Sequence, residues 1–157
     1  KRGFATAIAN NYLQSKSPVL SEMAQLVRSL AAGKLEDLCN QLTAFFASIP
    51  YTMRRKEDER ERERYFHYTF YLIFRILSTY LVLVEKQQSE GRADCIIETP
   101  CSVYIFEFKL DGTAEEALSQ IEEKGYARPY SNDRRKLYKV GASFSSKTGT
   151  IEDWEVK

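Results

Sequence analysis

The sequence predicts an α/β fold with a central mixed sheet, or a closely related α+β arrangement, preceded by an all-helical segment. Three observations predict it. Apolar residues recur at helical spacing up to residue 48, β-branched and aromatic runs dominate after residue 92, and one amphipathic segment at 113–127 separates two pairs of these runs. Strand runs interrupted by a helix predict a sheet covered by helices.

The first third of the chain is predicted to be helical. Three segments have apolar residues at helical spacing: 2–14, 19–32 and 35–48. Gly33 and Pro50 end the second and third of them. Residues 54–64 form a charge run whose charges partly compensate one helical turn apart. This run should begin a helix that becomes aromatic and buried, and that gives way to a strand (LVLVEKQQ) after Ser78.

Strand signals fill the second half. Four runs are predicted as strands: 92–98, 102–110, 136–144 and 150–156. The short connection at 99–101 predicts a hairpin between the first two runs. The segment at 113–127 is predicted as a helix, with Thr113 as its N-cap and Glu116 completing a capping box.

Composition indicates a globular domain without an unusual charge. The 157 residues are 43% hydrophobic and 29% charged, and the formal net charge of +1 gives no global attraction to nucleic acid. Three cysteines without paired or metal-ligand spacing indicate a reducing, cytoplasmic setting rather than a disulfide framework. No apolar run is long enough to span a bilayer, and no signal peptide is visible. Because the chain begins with Lys1, we expect it to be a fragment of something longer.

Charged residues inside the strand runs are the strongest functional signal. Side chains alternate along a strand, so Glu107 and Lys109 point to the same face, and the hairpin brings Asp94 close to them. Pairing that is symmetric about Pro100 would place residue 94 opposite residue 106, to within one residue. Two carboxylates about 4 Å apart repel by roughly 4 kcal/mol at an effective dielectric near 20. A divalent cation offsets that repulsion, and carboxylate oxygens suit Mg²⁺ or Mn²⁺. An ordinary salt bridge of Lys109 with either carboxylate is the structural alternative.

The stretch GRADCIIETPCSVYIFEFKLDGTAEEALSQIEEKGYARPY resembles the PD-(D/E)XK nuclease superfamily. In particular it resembles a bacterial branch found C-terminal to an AAA-ATPase-like domain, in which GRxD, IFEFK and ALxQIxxKxYA recur together. Ala93 stands where the superfamily formula has its proline. The resemblance implies a restriction-endonuclease-like fold over residues 49–157. It also implies that residues 1–48 are a helical connector or the tail of an upstream ATPase-like region.

The resemblance also implies roles for individual residues. Asp94 and Glu107 would bind the metal, with Glu63 as a further acidic ligand, and Lys109 would be the catalytic lysine. Gln120 matches a polar residue supplied by the helix that follows.

Three further residues belong to the same motifs and would support the site: His67, Arg92 and Tyr126. His67 is more typical of a hydrogen-bonded core histidine, Arg92 could pair with Asp94 or touch phosphate, and Tyr126 is more typical of packing. Glu63 could equally end the charge run.

Together these observations predict a Mg²⁺- or Mn²⁺-dependent nuclease that acts on DNA or RNA through a metal-activated water. Five basic residues in the loops could contact phosphates or simply be solvated: Lys124, Arg128, Arg134, Arg135 and Lys136. Two other functions stay open. The fold could be a non-catalytic or weakly active module that binds or regulates an ATPase-like partner, or a structural domain in which Glu107 and Lys109 form a salt bridge.

Overall fold

The computed structural model describes residues 18–48 and 95–157, with side chains described from residue 21 in the first range. It contains three α-helices, one short 3₁₀-helix and four strands in these ranges. In chain order they are α1 (Pro18–Ala32), α2 (Leu35–Ser48), β1 (Cys95–Glu98), β2 (Ser102–Leu110), α3 (Ala114–Glu123), the 3₁₀-helix (Arg128–Tyr130), β3 (Lys136–Phe144) and β4 (Ile151–Val156). The predicted helix at 2–14, the charge run with its aromatic continuation and the strand after Ser78 lie outside the described residues.

Helices α1 and α2 form where the apolar spacing predicts them. Gly33 separates them with a φ of 68°, a left-handed conformation that favours glycine. The backbone N–H of Lys34 donates to the carbonyl of Ser29 at 2.9 Å and closes the end of α1. Acidic Glu36 and Asp37 lie in the first turn of α2, where they complement the helix dipole.

The described strands form one mixed sheet in the order β1-β2-β3-β4. Strand β1 pairs antiparallel with β2 through the predicted hairpin, β2 pairs parallel with β3, and β3 pairs antiparallel with β4. Helix α3 makes the crossover that a parallel pair requires. The predicted mixed sheet and all four strand runs are confirmed over the described residues.

Helices cover both faces of this sheet. On one face, Tyr104, Phe106 and Phe108 of β2 pack in a single core with α1 and α2. Phe46 of α2 contacts Phe144 of β3 edge to face, with ring centroids 5.1 Å apart. On the other face, a second core contains Ile121 of α3 and further residues of the sheet and the loop after α3: Ile96, Val103, Ile105, Tyr126 and Tyr130.

Side-chain hydrogen bonds join the helical layer to the sheet. The hydroxyl of Tyr104 donates to the carbonyl of Leu30 at 2.7 Å, and the indole N–H of Trp154 donates to the Thr43 hydroxyl at 2.9 Å. Helices α1 and α2 therefore contribute to the core that supports β2. The division of the chain into domains at residue 48 stays a prediction.

Helix α3 begins with the predicted capping box. The Thr113 hydroxyl accepts from the N–H of Glu116, and the Glu116 carboxylate accepts from the N–H of Thr113. The helix ends at Glu123, four residues before the predicted end. The reason is Gly125, whose φ of 66° turns the chain out of the helical conformation.

The three cysteines, Cys39, Cys95 and Cys101, are free thiols. Burial raises the pKa of the Cys39 thiol to about 12. Within the described ranges, the helices are too short or too polar to cross a bilayer.

Candidate active site

The candidate site lies on the α3-facing side of the sheet, towards the end of β2. Val103, Ile105, Glu107 and Lys109 alternate onto this side, while Phe108 faces the opposite core. The first two are buried against α3, so the apolar face leads directly to the two charged residues. The sequence prediction that Glu107 and Lys109 share a face is confirmed by this alternation.

Gln120 of α3 joins the two charged residues. Its side-chain carbonyl accepts a hydrogen bond from the ammonium of Lys109, and its amide N–H donates to the carboxylate of Glu107. The Gln120 amide therefore hydrogen-bonds both charged groups at once. These two bonds fix the orientation of the amide, because only its nitrogen can donate. The resemblance implied a polar residue at Gln120, and the structure brings this residue to Glu107 and Lys109.

Glu107 is a buried acid. Glu107 is 3% exposed, whereas Lys109 is half-buried. A carboxylate that is removed from water needs charged or hydrogen-bonding neighbours to remain ionised. Lys109, at the same end of β2, and the amide of Gln120 supply both kinds of neighbour. The site is therefore a buried carboxyl group held in a fixed place beside the more accessible amine of Lys109.

Two residues of β3 that the sequence did not single out for the site support this arrangement. Gly141 pairs with Glu107 in the parallel register, and Ser143 pairs with Lys109. The Ser143 hydroxyl donates to the carbonyl of Gly112 at 2.7 Å, which holds the turn between β2 and α3. The signal for Gly141 was its place in the strand run KLYKVGASF, where a glycine interrupts larger side chains.

Four of the predicted site residues lie outside the described residues: Glu63, His67, Arg92 and Asp94. The hairpin next to Asp94 is described. Cys95 pairs with Phe106, one residue from the symmetric register and within the predicted uncertainty.

Tyr126 lies within the second core and is 3% exposed, in agreement with a packing role. Its backbone N–H donates to the carbonyl of Ile121 at 3.2 Å, so it also helps to close the end of α3.

Lys136, one of the predicted phosphate-contacting residues, lies away from Lys109. Lys136 pairs with Ser102 at the start of the parallel strands, whereas Lys109 pairs with Ser143 seven residues later, a separation of about 23 Å. The ammonium of Lys136 lies over the ring of Tyr138, 4.8 Å from its centroid. Lys124, Arg128 and Arg134 are exposed in the stretch between α3 and β3.

Arg135 is held by two carboxylates. Its guanidinium donates to Asp133 at 2.7 Å and to the buried Glu98 at 3.1 Å, and the hydrogen bonds to Asp133 raise its pKa. The hydroxyl of Tyr130 donates to the other oxygen of Glu98 at 2.9 Å. The pKa of Tyr130 is raised, mainly by burial and in second place by this hydrogen bond. The guanidinium also donates to the carbonyl of Thr99, so this cluster anchors the hairpin turn to the loop before β3.

Comparison with known proteins agrees with this geometry. The mixed sheet with helices on both faces is a restriction-endonuclease-like α/β fold. The family model of the PD-(D/E)XK nuclease superfamily matches residues 61–154, more than half of the chain. The chain belongs to this superfamily.

One curated relative is a protein of Azotobacter chroococcum mcd 1 named "Uncharacterized protein in vnfD 5'region". It is 31% identical to this chain over 159 residues. The match covers 100% of this chain and 31% of the relative, so the chain spans about a third of the relative's length. No solved structure matches the chain significantly.

Nucleases of this superfamily generally use divalent metal ions. Within residues 18–48 and 95–157, no three His, Cys, Asp or Glu side chains are grouped to hold a metal. The donor chemistry of Glu107 nevertheless fits one, because a fixed carboxylate oxygen is a ligand that Mg²⁺ and Mn²⁺ prefer. The further ligands that the resemblance implies, Asp94 and Glu63, lie beyond those ranges.

Proposed function

We propose that this domain is a metal-dependent nuclease that hydrolyses phosphodiester bonds in DNA or RNA. The observation that carries the proposal is the buried Glu107 held beside Lys109 by the amide of Gln120. Membership of a nuclease superfamily supplies the reaction class and links the fold to nucleic acid.

Glu107 would hold a divalent ion together with Asp94, which directly precedes β1 in the sequence, and Glu63. Cys95 is the neighbour of Asp94, and its strand partner Phe106 is the neighbour of Glu107, which supports the proposed pair. The bound ion would lower the pKa of a water molecule and stabilise negative charge on the phosphate. The specific ion, Mg²⁺ or Mn²⁺, is part of the proposal.

Lys109 would act on the water and the phosphate. Its ammonium has three N–H donors, one of which goes to Gln120. The others could orient the attacking water or neutralise a phosphate oxygen as charge develops. Gln120 would keep the ammonium in place, since a charged side chain on four flexible bonds has many other conformations. The metal-binding carboxylate of Glu107 lies on the same strand as Lys109, so the strand would hold it in a fixed position relative to the ammonium.

The experiment is a cleavage assay on labelled DNA and RNA with Mg²⁺ or Mn²⁺, paired with Mn²⁺ binding. Lys109→Ala should abolish cleavage and keep Mn²⁺ binding, whereas Glu107→Ala should lose both. Lys139→Ala is the matched control, because the ammonium of Lys139 on β3 is paired with Glu122 at 2.7 Å rather than with the site residues. Metal-stimulated cleavage that survives Lys109→Ala would contradict the proposed roles.

A binding or regulatory module is the second candidate, favoured by the net charge of +1. In that case the fold would act on an ATPase-like partner or domain with weak or no cleavage. Mn²⁺ binding without cleavage of any DNA or RNA substrate would favour this candidate.

A further inference from the structure

Helix α3 approaches the sheet closely at Gly141, directly beside the candidate site. A Cβ atom built on Gly141 would lie 2.2 Å from the backbone carbonyl oxygen of Ala114 and 2.8 Å from the backbone nitrogen of Leu118. Both atoms belong to α3. Gly141 is also the strand partner of Glu107, so the contact is at the level of the buried acid.

A side chain at Gly141 would have to displace the helix. The obstructing atoms are backbone atoms, which cannot rotate away as a flexible side chain would. An ordinary contact begins at 3.4 Å, so the first turn of α3 would retreat by about 1 Å. Ala114 and Ala117, both fully buried, are the small residues that α3 presents at this contact.

The retreat would be transmitted to Gln120. Gln120 lies two residues after Leu118 on the same helix and reaches across to Glu107 and Lys109. Hydrogen bonds weaken steeply when their geometry is displaced, so a shift of this size would separate the amide from the two charged groups. Because Gly141 has no side chain, α3 lies close enough to the sheet for the Gln120 amide to hydrogen-bond Glu107 and Lys109.

We propose that Gly141 is a positioning residue of the active site, which holds α3 close enough to β3 for Gln120 to bridge Glu107 and Lys109. This inference rests on the proposed nuclease function for its catalytic consequence, whereas its structural consequence can be measured without activity.

The experiment compares Gly141→Ala with Val140→Ala, each with and without Gln120→Leu. Val140 is the adjacent β3 residue, fully buried in the opposite core against α1 and α2. Val140→Ala therefore destabilises the sheet by a cavity without touching α3. The first readout is the side-chain amide resonance pair of Gln120 in ¹H–¹⁵N spectra, identified by its loss in Gln120→Leu.

Gly141→Ala should move these amide resonances towards those of the exposed Gln25, and Val140→Ala should leave them in place. In the cleavage assay, Gly141→Ala should lower kcat by about tenfold or more with KM unchanged, since a 1 Å misplacement can cost up to about 100-fold. Gln120→Leu should then add less than about twofold in the Gly141→Ala background, because the bridge is already lost. It should keep its full effect in the Val140→Ala background.

Ala117→Ser is measured in parallel, because it adds one atom to the same contact from the helix side and is the milder change should Gly141→Ala not fold. It should shift the amide resonances in the same direction by a smaller amount. Unshifted resonances in the folded variants, or an equal effect of Gln120→Leu in every background, would overturn the positioning role. A wild-type protein that cleaves nothing would contradict the proposed function instead, and the amide shift would still decide the role of Gly141.

Discussion

Replacing Gln120 by leucine tests whether the site is the pre-arranged unit that the structure shows. Leucine has a similar size and helix propensity, so the change removes the amide with little effect on α3 itself. Two charge-assisted hydrogen bonds are lost, to Glu107 and from Lys109. Water can replace the one to half-buried Lys109, but water has little access to Glu107, which is 3% exposed.

The expected destabilisation is therefore that of one hydrogen bond to a buried charge, about 1.5–3 kcal/mol. For a chain of this size each kcal/mol lowers Tm by roughly 2–4 °C, so Tm should fall by about 3–12 °C. Urea unfolding and calorimetry on the metal-free protein measure both quantities.

Ser119→Ala is the matched control for Gln120→Leu. Ser119 is the preceding residue of α3 and is exposed, so its replacement should change the free energy of unfolding by no more than about 0.5 kcal/mol. A loss of less than about 0.5 kcal/mol in Gln120→Leu would contradict the predicted role of the amide, because the amide would then contribute no more to holding Glu107 than an exposed residue does.

Three further predictions concern the N-cap of α3, the reactivity of two cysteines and one ion pair. Thr113→Ala should destabilise the protein by about 1 kcal/mol through loss of the capping box, and Thr113→Ser should restore most of it in urea unfolding. A thiol reagent at pH 8 should modify exposed Cys101 in the native protein and leave Cys39 unmodified, because burial raises the Cys39 pKa to about 12. Labelling of Cys39 as fast as Cys101 would contradict the burial of Cys39. The Glu122 pKa is lowered, first by the hydrogen bond from Lys139, so the ion pair stabilises the fold above the unfolded pKa near 4.5 and loses its effect as pH falls through the lower folded value. Lys139→Ala should therefore cost less than about 1 kcal/mol at pH 7 and nothing near pH 2, and a cost that grew towards acid pH would show the wrong sign.

Local patterns in the sequence predicted the elements that position the site. Alternation along 102–110 placed Glu107 and Lys109 on one face, and the capping pattern at Thr113 placed the start of α3 correctly. Both features depend only on residues that are neighbours in the chain. The alternation of side chains and the capping residues were therefore sufficient to predict them. Gln120 came from the resemblance to the superfamily, and the structure supplies its two partners.

Contacts between distant segments could not be read from those patterns. The approach of α3 to Gly141 depends on how two elements pack, and a glycine in a strand run has several possible reasons. Arg135 had the charge expected of a phosphate contact, but its guanidinium forms an ion pair with Glu98, which is distant in sequence. The shared core of α2 and the sheet, in which Phe46 meets Phe144, likewise depends on tertiary packing between segments about 100 residues apart.

The proposed metal site of Asp94 and Glu107 is tested by a calorimetric titration with Mn²⁺ of the wild type, the Lys109→Ala variant and the Asp94→Ala/Glu107→Ala double variant. We expect saturable binding to the wild type, similar binding to Lys109→Ala, and none to the double variant. The same three proteins should then show metal-dependent cleavage of nucleic acid in the wild type alone. Binding that persists unchanged in the double variant would contradict the assignment of these carboxylates to a metal site.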